Sequence, residues 1–504
     1  MISIAATPHL AVLARAVGLH RERRFAEAES LYRQVVALLP DHVDANHNLG
    51  AALAQQGKLD EAIPFLRRAI DLQPGKAKHW SVCIEVLAAS GDFASAAALY
   101  RSLIECQPDS ALLHFNLGNL LARAGALDEA AQSLRSAARL NPGLAEAHNN
   151  LGNVLKLQGH QDQAASAYRA ALVAKPDLVE ARANLGSVLE QTGDLTAAEA
   201  SYRAVLAQSP DHLGAHRGLA TVLLEQGHPD EALAAFRRHA ELAFGDASSS
   251  SPSSSHKERH DAQQRAYLGR ASLNRFALDG GERLHGPAIN PDNDAVAIAE
   301  TWNGSDPKLV VIDNLLTPQA LAAVRRLCLG STFWRQSFPN GYLGALPEHG
   351  FAAPLLAQIG EELPRALPAI FAGHPLLQLW AFKYDSELTG INLHADFAAV
   401  NVNFWITPDE ANLDPDHGGL VVWDKAAPLD WSFDKFNNDD ESMRRLLRDS
   451  GARSVTIPYR ANRAVIFDSD LFHETDRFHF RAGYENRRIN ITYLYGWRAA
   501  KIRA

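Results

Sequence analysis

Asn150-Leu151-Gly152-Asn153 stands 34 residues after Asn116-Leu117-Gly118-Asn119 and 34 before Asn184-Leu185-Gly186. The period runs well beyond these copies. Prolines fall at Pro40, Pro74, Pro108, Pro142, Pro176 and Pro210, each 34 residues after the last. Glycines keep the same step at Gly57, Gly91, Gly125, Gly159, Gly193 and Gly227, as do Ala28, Ala62, Ala96, Ala130, Ala164, Ala198 and Ala232. Each register has a physical reason. A glycine ends the first helix of a pair, an alanine lets two helices approach closely, and a proline limits the second helix. Such a hairpin buries its apolar face only by stacking on the next one, so the pattern predicts an array of helical pairs.

Several registers in step at this period resemble the tetratricopeptide repeat. Six full copies run from about Asp41 to Leu242, after a partial one over residues 8–40, and Phe244 and Gly245 close the array. The third copy has Val82 where others have Asn and Ile84 where others have Gly, which predicts a local irregularity. The resemblance implies an N-terminal all-α tetratricopeptide superhelix over residues 1–245. Asn48, Asn116, Asn150 and Asn184 share one repeat position, and Asn119 and Asn153 add a second, partial row. Stacking turns them into a ladder along the concave face. Amides both donate and accept hydrogen bonds, so the ladder is expected to hold an extended protein or peptide partner with little regard to its side chains. It resembles the asparagine ladder of the tetratricopeptide domain of O-GlcNAc transferase. Two plainer readings stay open: asparagine as a common solvated helix residue, and a surface that docks a folded partner or another copy of the chain.

The C-terminal part turns on Ile391-Asn392-Leu393-His394-Ala395-Asp396, completed by His473 in Phe467-Asp468-Ser469-Asp470-Leu471-Phe472-His473-Glu474. Two histidines and a carboxylate are the ligand set of the non-haem Fe(II) facial triad. On an extended strand residues i and i+2 share a face, so His394 and Asp396 can meet one ion. With 21 histidines in the chain, a His-x-Asp also arises by chance; its surroundings give it weight. Leu379–Tyr384, Val400–Ile406, Gly418–Trp423, Ala464–Phe467 and Arg488–Leu494 are β-branched and aromatic runs bounded by Gly, Pro, Asn and Asp, which predict an all-β sandwich or barrel. The last run puts Arg488, Asn490 and Thr492 on one face. An inward arginine is costly to bury without an anion, and a carboxylate held by the guanidinium fork answers that cost.

From about Lys308 to Gly496 the chain resembles the Fe(II)/2-oxoglutarate-dependent dioxygenases of the prolyl-hydroxylase-like group. The resemblance rests on the leader Leu309–Thr317, Tyr384, His394-x-Asp396, the Gly418-Gly419-Leu420 run, His473 and the late arginine. It implies a C-terminal double-stranded β-helix (jelly roll) with supporting helices. It also implies His394, Asp396 and His473 as iron ligands, and Arg488, with Tyr384 and Asn490, as the 2-oxoglutarate site. Arg487 competes with Arg488 for that role. Fe(II), 2-oxoglutarate and O2 would be the cofactors, with ascorbate as reductant, and the reaction a hydroxylation coupled to decarboxylation of 2-oxoglutarate. By strand parity Asn392, Asn403 and Trp405 join Tyr384 as lining residues. His417, Glu474 and His479 read as loop or supporting residues, since the ligand set is already complete.

The length of 504 residues predicts two or more domains. We place a repeat array at 1–245, a Ser-rich flexible linker at 246–262, a lead-in at 263–305 and the dioxygenase-like domain at 306–504. The linker's serines and charges lack the apolar surface to fold, and such a tether raises the effective concentration of whatever the repeats hold. Gln263–Arg275 is expected to be a helix and Asp279–Asp306 a loop. Further helices are expected over Pro318–Cys328 with Thr317 as N-cap, Leu355–Leu367 and Asp440–Arg448. Residues 424–452 read equally as a lid or as an excursion packed by its own aromatics. A net charge of −9 argues against nucleic-acid binding. Three scattered cysteines, no basic leader and no long apolar run predict a soluble, cytoplasmic protein without a membrane span. Three functions fit: a protein or peptide hydroxylase, a small-molecule or glycan oxygenase localised by its repeats, and a non-catalytic interaction scaffold. The sequence leaves the oligomeric state open.

Overall fold

The computed structural model describes residues 7–245, 254–385 and 391–498. An all-helical array precedes a β-rich region. The array is seven hairpins: α1 (Thr7–Arg21) with α2 (Phe25–Leu38), α3 (Val43–Ala54) with α4 (Leu59–Leu72), α5 (Ala77–Ser90) with α6 (Phe93–Cys106), and α7 (Ala111–Arg123) with α8 (Leu127–Leu140). Then come α9 (Ala145–Leu157) with α10 (Gln161–Ala174), α11 (Val179–Thr192) with α12 (Leu195–Gln208), and α13 (Leu213–Glu225) with α14 (Pro229–Phe244). By compactness the chain divides at 188/189, within α11, into Met1–Val188 and Leu189–Ala504.

In the first unit the periodic residues do what their chemistry requires. The glycines that end first helices adopt φ of +78° to +87°, which a side chain resists. Ala28, Ala62, Ala96, Ala130 and Ala164 are fully buried. One periodic bond was not foreseen: the side chain six residues after a proline bonds to that proline's carbonyl. Asn46 bonds to Pro40, Trp80 to Pro74, His114 to Pro108 and His148 to Pro142, at 2.8–3.2 Å. Each satisfies a loop carbonyl that the helices leave without a partner.

A Cβ added to Gly152 would meet the ring of Tyr168 at 2.5 Å. That ring donates its hydroxyl to Asn153 at 2.8 Å. Gly152→Val should therefore cost about 1–3 kcal/mol by overpacking, read as a fall of several degrees in the melting of the array. Glu29, nearly buried, accepts from Lys58, Arg33 and Gln56 at 2.8–2.9 Å. Burial pushes its pKa up, but the three donors outweigh it and bring the carboxyl down to about 2. A folded pKa below the unfolded value stabilises above the unfolded value, and the benefit is lost as pH falls from about 4.5 toward 2. Melting Glu29→Gln beside the parent should show a deficit of about 1 kcal/mol at pH 7 that closes over that window.

In the second unit, α13 and α14 pack with the β-rich region. Arg335 lies 4.3 Å over the Phe244 ring, Phe276 N donates to Phe244 O at 2.9 Å, and Arg283 bridges Asp230 and Glu361. The helices are α15 (Ser255–Leu268), α16 (Ala295–Gly304), α17 (Pro318–Gly330), α18 (Pro354–Ala366), α19 (Pro368–Phe371), α20 (Phe433–Asn437) and α21 (Asp440–Asp449). The strands are β1 (Leu309–Ile312), β2 (Gln336–Phe338), β3 (Tyr342–Ala345), β4 (Leu376–Tyr384), β5 (Ala398–Trp405), β6 (Leu420–Ala426), β7 (Ser454–Ile457), β8 (Ala464–Asp468), β9 (Leu471–Thr475) and β10 (Ile489–Trp497). They form a seven-stranded sheet, β1-β8-β5-β10-β4-β3-β2, and a three-stranded sheet, β7-β6-β9, all antiparallel. Trp405, Val465 and Phe467 of the large sheet pack on Leu420, Val422 and Ile457 of the small one. Among the described residues no helix is long and apolar enough to cross a membrane.

Several expectations are corrected. The 246–262 segment is not wholly a flexible linker: residues 246–253 lie outside the described residues, and α15 begins at Ser255. This helix buries a polar face, His256, His260 and Gln264, spaced at i, i+4 and i+8. Each finds partners: His256 meets Ser337 at 3.0 Å, His260 meets Asp261 at 3.0 Å, and Gln264 donates to Ser331 O at 2.8 Å. Composition missed it because it equates a docking face with an apolar one. The helix expected at Gln263–Arg275 is this one, ending at Leu268, and α16 interrupts the expected loop of Asp279–Asp306. Thr317 caps α17 by accepting from Ala320 N at 3.2 Å, as its position implies.

Candidate metal centre

His394 and Asp396 do not lie on a regular strand. The segment is held by a single bridge, His394 paired with His473, with His394 N to His473 O at 3.0 Å and His473 N to His394 O at 2.8 Å. Alternation still operates. Leu393 and Ala395 turn into an apolar cluster with Phe436, Met443, Leu447 and Phe472, while His394, Asp396 and His473 line one narrow cavity. Their ligand atoms all lie within 4.8 Å of one another. The imidazole centroids are 4.2 Å apart, and His473 Nε2 is 3.5 Å from Asp396 Oδ2.

The protonation pattern suits a cation. Nδ1 of each ring sits by the carbonyl two residues earlier, His394 by Asn392 O at 2.8 Å and His473 by Leu471 O at 2.9 Å. Those bonds put the proton on Nδ1 and leave the Nε2 lone pair available. Burial, with His394 beside it, holds His473 well below the usual histidine range. Burial also raises the Asp396 carboxyl, partly opposed by His394 and by Asn401. Asn401 donates to Asp396 Oδ2 at 2.6 Å.

Arg488 and Asn490 line the same cavity, with Asn403 and Thr492. Arg488 is 2 % exposed. Its Nε donates to Gly418 O at 2.7 Å and its Nη2 to Gly419 O at 3.0 Å, while Nη1 has no acceptor among the described residues. Tyr384 lies under the guanidinium, 4.5 Å from ring centroid to Cζ. Among the described residues no carboxylate pairs with Arg488. Two acceptors of the same cavity, Asn401 Oδ1 and Asn490 Oδ1, are also buried without partners. A cationic fork with a spare donor, two spare amide oxygens and a His/Asp/His cluster fit a divalent metal together with a carboxylate ligand.

Arg487 points elsewhere: its Nε donates to Gln263 at 2.9 Å and its Nη2 lies 3.8 Å from Asp385. Of the parity candidates, Asn403 lines the cavity and Trp405 lies behind it, 5.7 Å from Arg488 Cζ. Asn392 is exposed and serves only through its carbonyl. His417 pairs with Asp476 at 3.0 Å and Glu474 with Arg444 at 3.0 Å, both away from the cavity. Sequence reading missed Asn401, although it shares a strand face with Asn403.

Residues 424–452 buttress the site. Phe436 O accepts from Ala395 N and Asn437 Nδ2 donates to Ala395 O, both at 3.0 Å, which pins the backbone between His394 and Asp396. In the first unit, the asparagine rows bond to one another. Asn150 donates to Asn119 at 2.8 Å and Asn184 to Asn153 at 3.1 Å. Asn48 and Asn116 hold the same position on α3 and α7 and are half-buried.

The tetratricopeptide repeat family model matches residues 13–77, 85–145, 149–212 and 184–252. Among solved structures, MamA is 22 % identical, covering 32 % of this chain and 94 % of that one, with a TM-score of 0.31. PilF of Pseudomonas aeruginosa is 20 % identical, covering 40 % and 93 %, with a TM-score of 0.34. The C-terminal part of a repeat-containing protein from Cytophaga hutchinsonii is 15 % identical, covering 46 % and 95 %, with a TM-score of 0.40. No curated protein matches the chain. The N-terminal part of the chain is a tetratricopeptide-repeat array.

Proposed function

We propose that the two antiparallel sheets are a double-stranded β-helix of the dioxygenase type, and that the chain is an Fe(II)- and 2-oxoglutarate-dependent oxygenase hydroxylating a protein or peptide presented by its repeats. One observation carries this reading: Arg488, buried and without a carboxylate partner among the described residues, faces the same cavity as His394, Asp396 and His473. A lone buried cation is costly, and a dicarboxylate reaching from the metal to Arg488 would relieve that cost. With bound metal and cosubstrate, the site would supply oxidation of a C–H bond by O2. The chain's own part is placement. The Nδ1–H bonds aim both imidazoles, Asn401 orients Asp396, the Gly418 and Gly419 carbonyls hold Arg488, and Phe382, Tyr384 and Leu420 exclude water.

The array is a tetratricopeptide-type interaction scaffold, and on this reading the asparagine rows hold an extended chain on a concave face. Three free cysteines fit a cytoplasmic setting. The mutual pairing of Asn150 with Asn119 and Asn184 with Asn153 favours a second reading, in which the rows stiffen the array and the barrel takes a small molecule or glycan. Replacing Asn116, Asn150 and Asn184 together by alanine separates the two. The first reading expects hydroxylation of a protein substrate to fall about tenfold or more, from lost amide bonds of about 0.5–1.5 kcal/mol each, with 2-oxoglutarate binding unchanged. Unchanged turnover alongside a lower melting temperature would favour the second. The oxygenase reading itself is tested by titrating 2-oxoglutarate into the anaerobic Fe(II)-loaded protein: saturable binding supports it, and no binding overturns it.

A further inference from the structure

A second cleft in the Leu189–Ala504 unit lies between α13 and the sheet, enclosing about 780 Å³ of space open to solvent. One wall is Arg217, Thr221 and Glu225; the other includes Leu377, Gln378 and Trp497. In repeat register, Thr221 stands where Asn119 and Asn153 stand, and Arg217 where Asn149 stands. The row that carries amides in earlier repeats therefore faces the barrel in the last one.

Two features tie the cleft to the metal cavity. Gln378 shares a face of β4 with Trp380 and Phe382, both of which line that cavity. Phe397, which also borders the cleft, directly follows Asp396. A third feature says what shape of ligand fits. β3 pairs with β4 from Ala381↔Ala345 to Tyr384↔Tyr342, so among the described residues Leu376–Trp380 has a strand neighbour on the β10 side alone. A bare strand edge with alternating apolar and hydrogen-bonding neighbours is a template for an added extended chain.

We propose that this cleft is the entry track for the substrate polypeptide: an extended segment of another protein lies along the Leu376–Trp380 edge, its apolar side chains against Leu377 and Trp497, and continues past Gln378 to the metal. The proposal rests on the hydroxylase reading for its end point, but the cleft's binding is separable from it. The test uses random twelve-residue peptides displayed on phage and selected on the full-length chain, with the recovered peptides measured by fluorescence polarisation. Recovered peptides should bind the parent and lose at least tenfold in affinity with Thr221→Trp, which fills the cleft from α13, and with Trp497→Ala. Methylating alternate backbone amides of a recovered peptide should have the same effect. Thr221→Trp should keep the parent's melting temperature and 2-oxoglutarate affinity, which separates a blocked cleft from a damaged fold. Recovery of no peptide, or of peptides that bind both variants as well as the parent, overturns the proposal. Peptides that meet these criteria on a chain that binds no 2-oxoglutarate would uphold the cleft and remove the oxygenase reading instead.

Discussion

Arg488→Gln should lower 2-oxoglutarate affinity by roughly a hundredfold or more, about 3–5 kcal/mol for breaking a buried charge pair. The fork is already aimed: two of its nitrogens are spent on Gly418 O and Gly419 O, and the third is left over. Glutamine keeps much of the bulk but loses the charge and the fork, so a lysine variant should recover only part of the loss. Arg487→Gln supplies the contrast. Its partners are Gln263 on α15 and the buried Asp385, and it does not line the cavity, so its removal should loosen α15 and leave 2-oxoglutarate affinity within about threefold. Calorimetric titration of both variants with Mn(II) and 2-oxoglutarate distinguishes the two arginines. Equal losses would mean that the cavity does not read the cosubstrate through Arg488.

Asp396→Ala should abolish metal binding at micromolar Fe(II). Among the described residues the carboxylate is the only anionic member of the cluster, and without it just two neutral imidazoles remain to hold a divalent ion. A supporting residue of a metal site typically contributes 10–100-fold in affinity; a ligand should exceed that. Asn401→Ala falls in the smaller class, with about 10–100-fold weaker metal binding, because it orients Asp396 without touching the ion. Mn(II) titration followed by electron paramagnetic resonance ranks the three proteins. An Asp396→Ala protein that binds as tightly as the parent would remove the metal site.

Much of the array was legible because a repeat states its physics seven times over. Gly, Ala and Pro each mark a backbone requirement, and the three registers agree. The asparagine rows were legible as positions, but their bonding to one another was not, since sequence does not say whether a ladder faces a ligand or itself. In the β-rich region, alternation placed Arg488, Asn490, Thr492 and Asn403 on the cavity face. It did not reveal that His394 sits on an isolated bridge and that Asp396 lies outside any regular strand. The alternation persists there because the insertion grips Ala395 from behind through Phe436 and Asn437. That support spans about forty residues of sequence, beyond the reach of any local pattern. Helix α15 escaped for another reason: its buried face is polar, and its stability rests on partners drawn from elsewhere in the chain.

A cavity that holds a metal and 2-oxoglutarate for oxidative chemistry should release succinate. It is measured as succinate formed from 2-oxoglutarate by the full-length protein with Fe(II), ascorbate and O2 in cell extract, beside Asp396→Ala. Iron-dependent succinate that disappears in the variant is the expected result. No succinate from the parent, or equal amounts from both proteins, would contradict it and leave the repeats as the functional half of the chain.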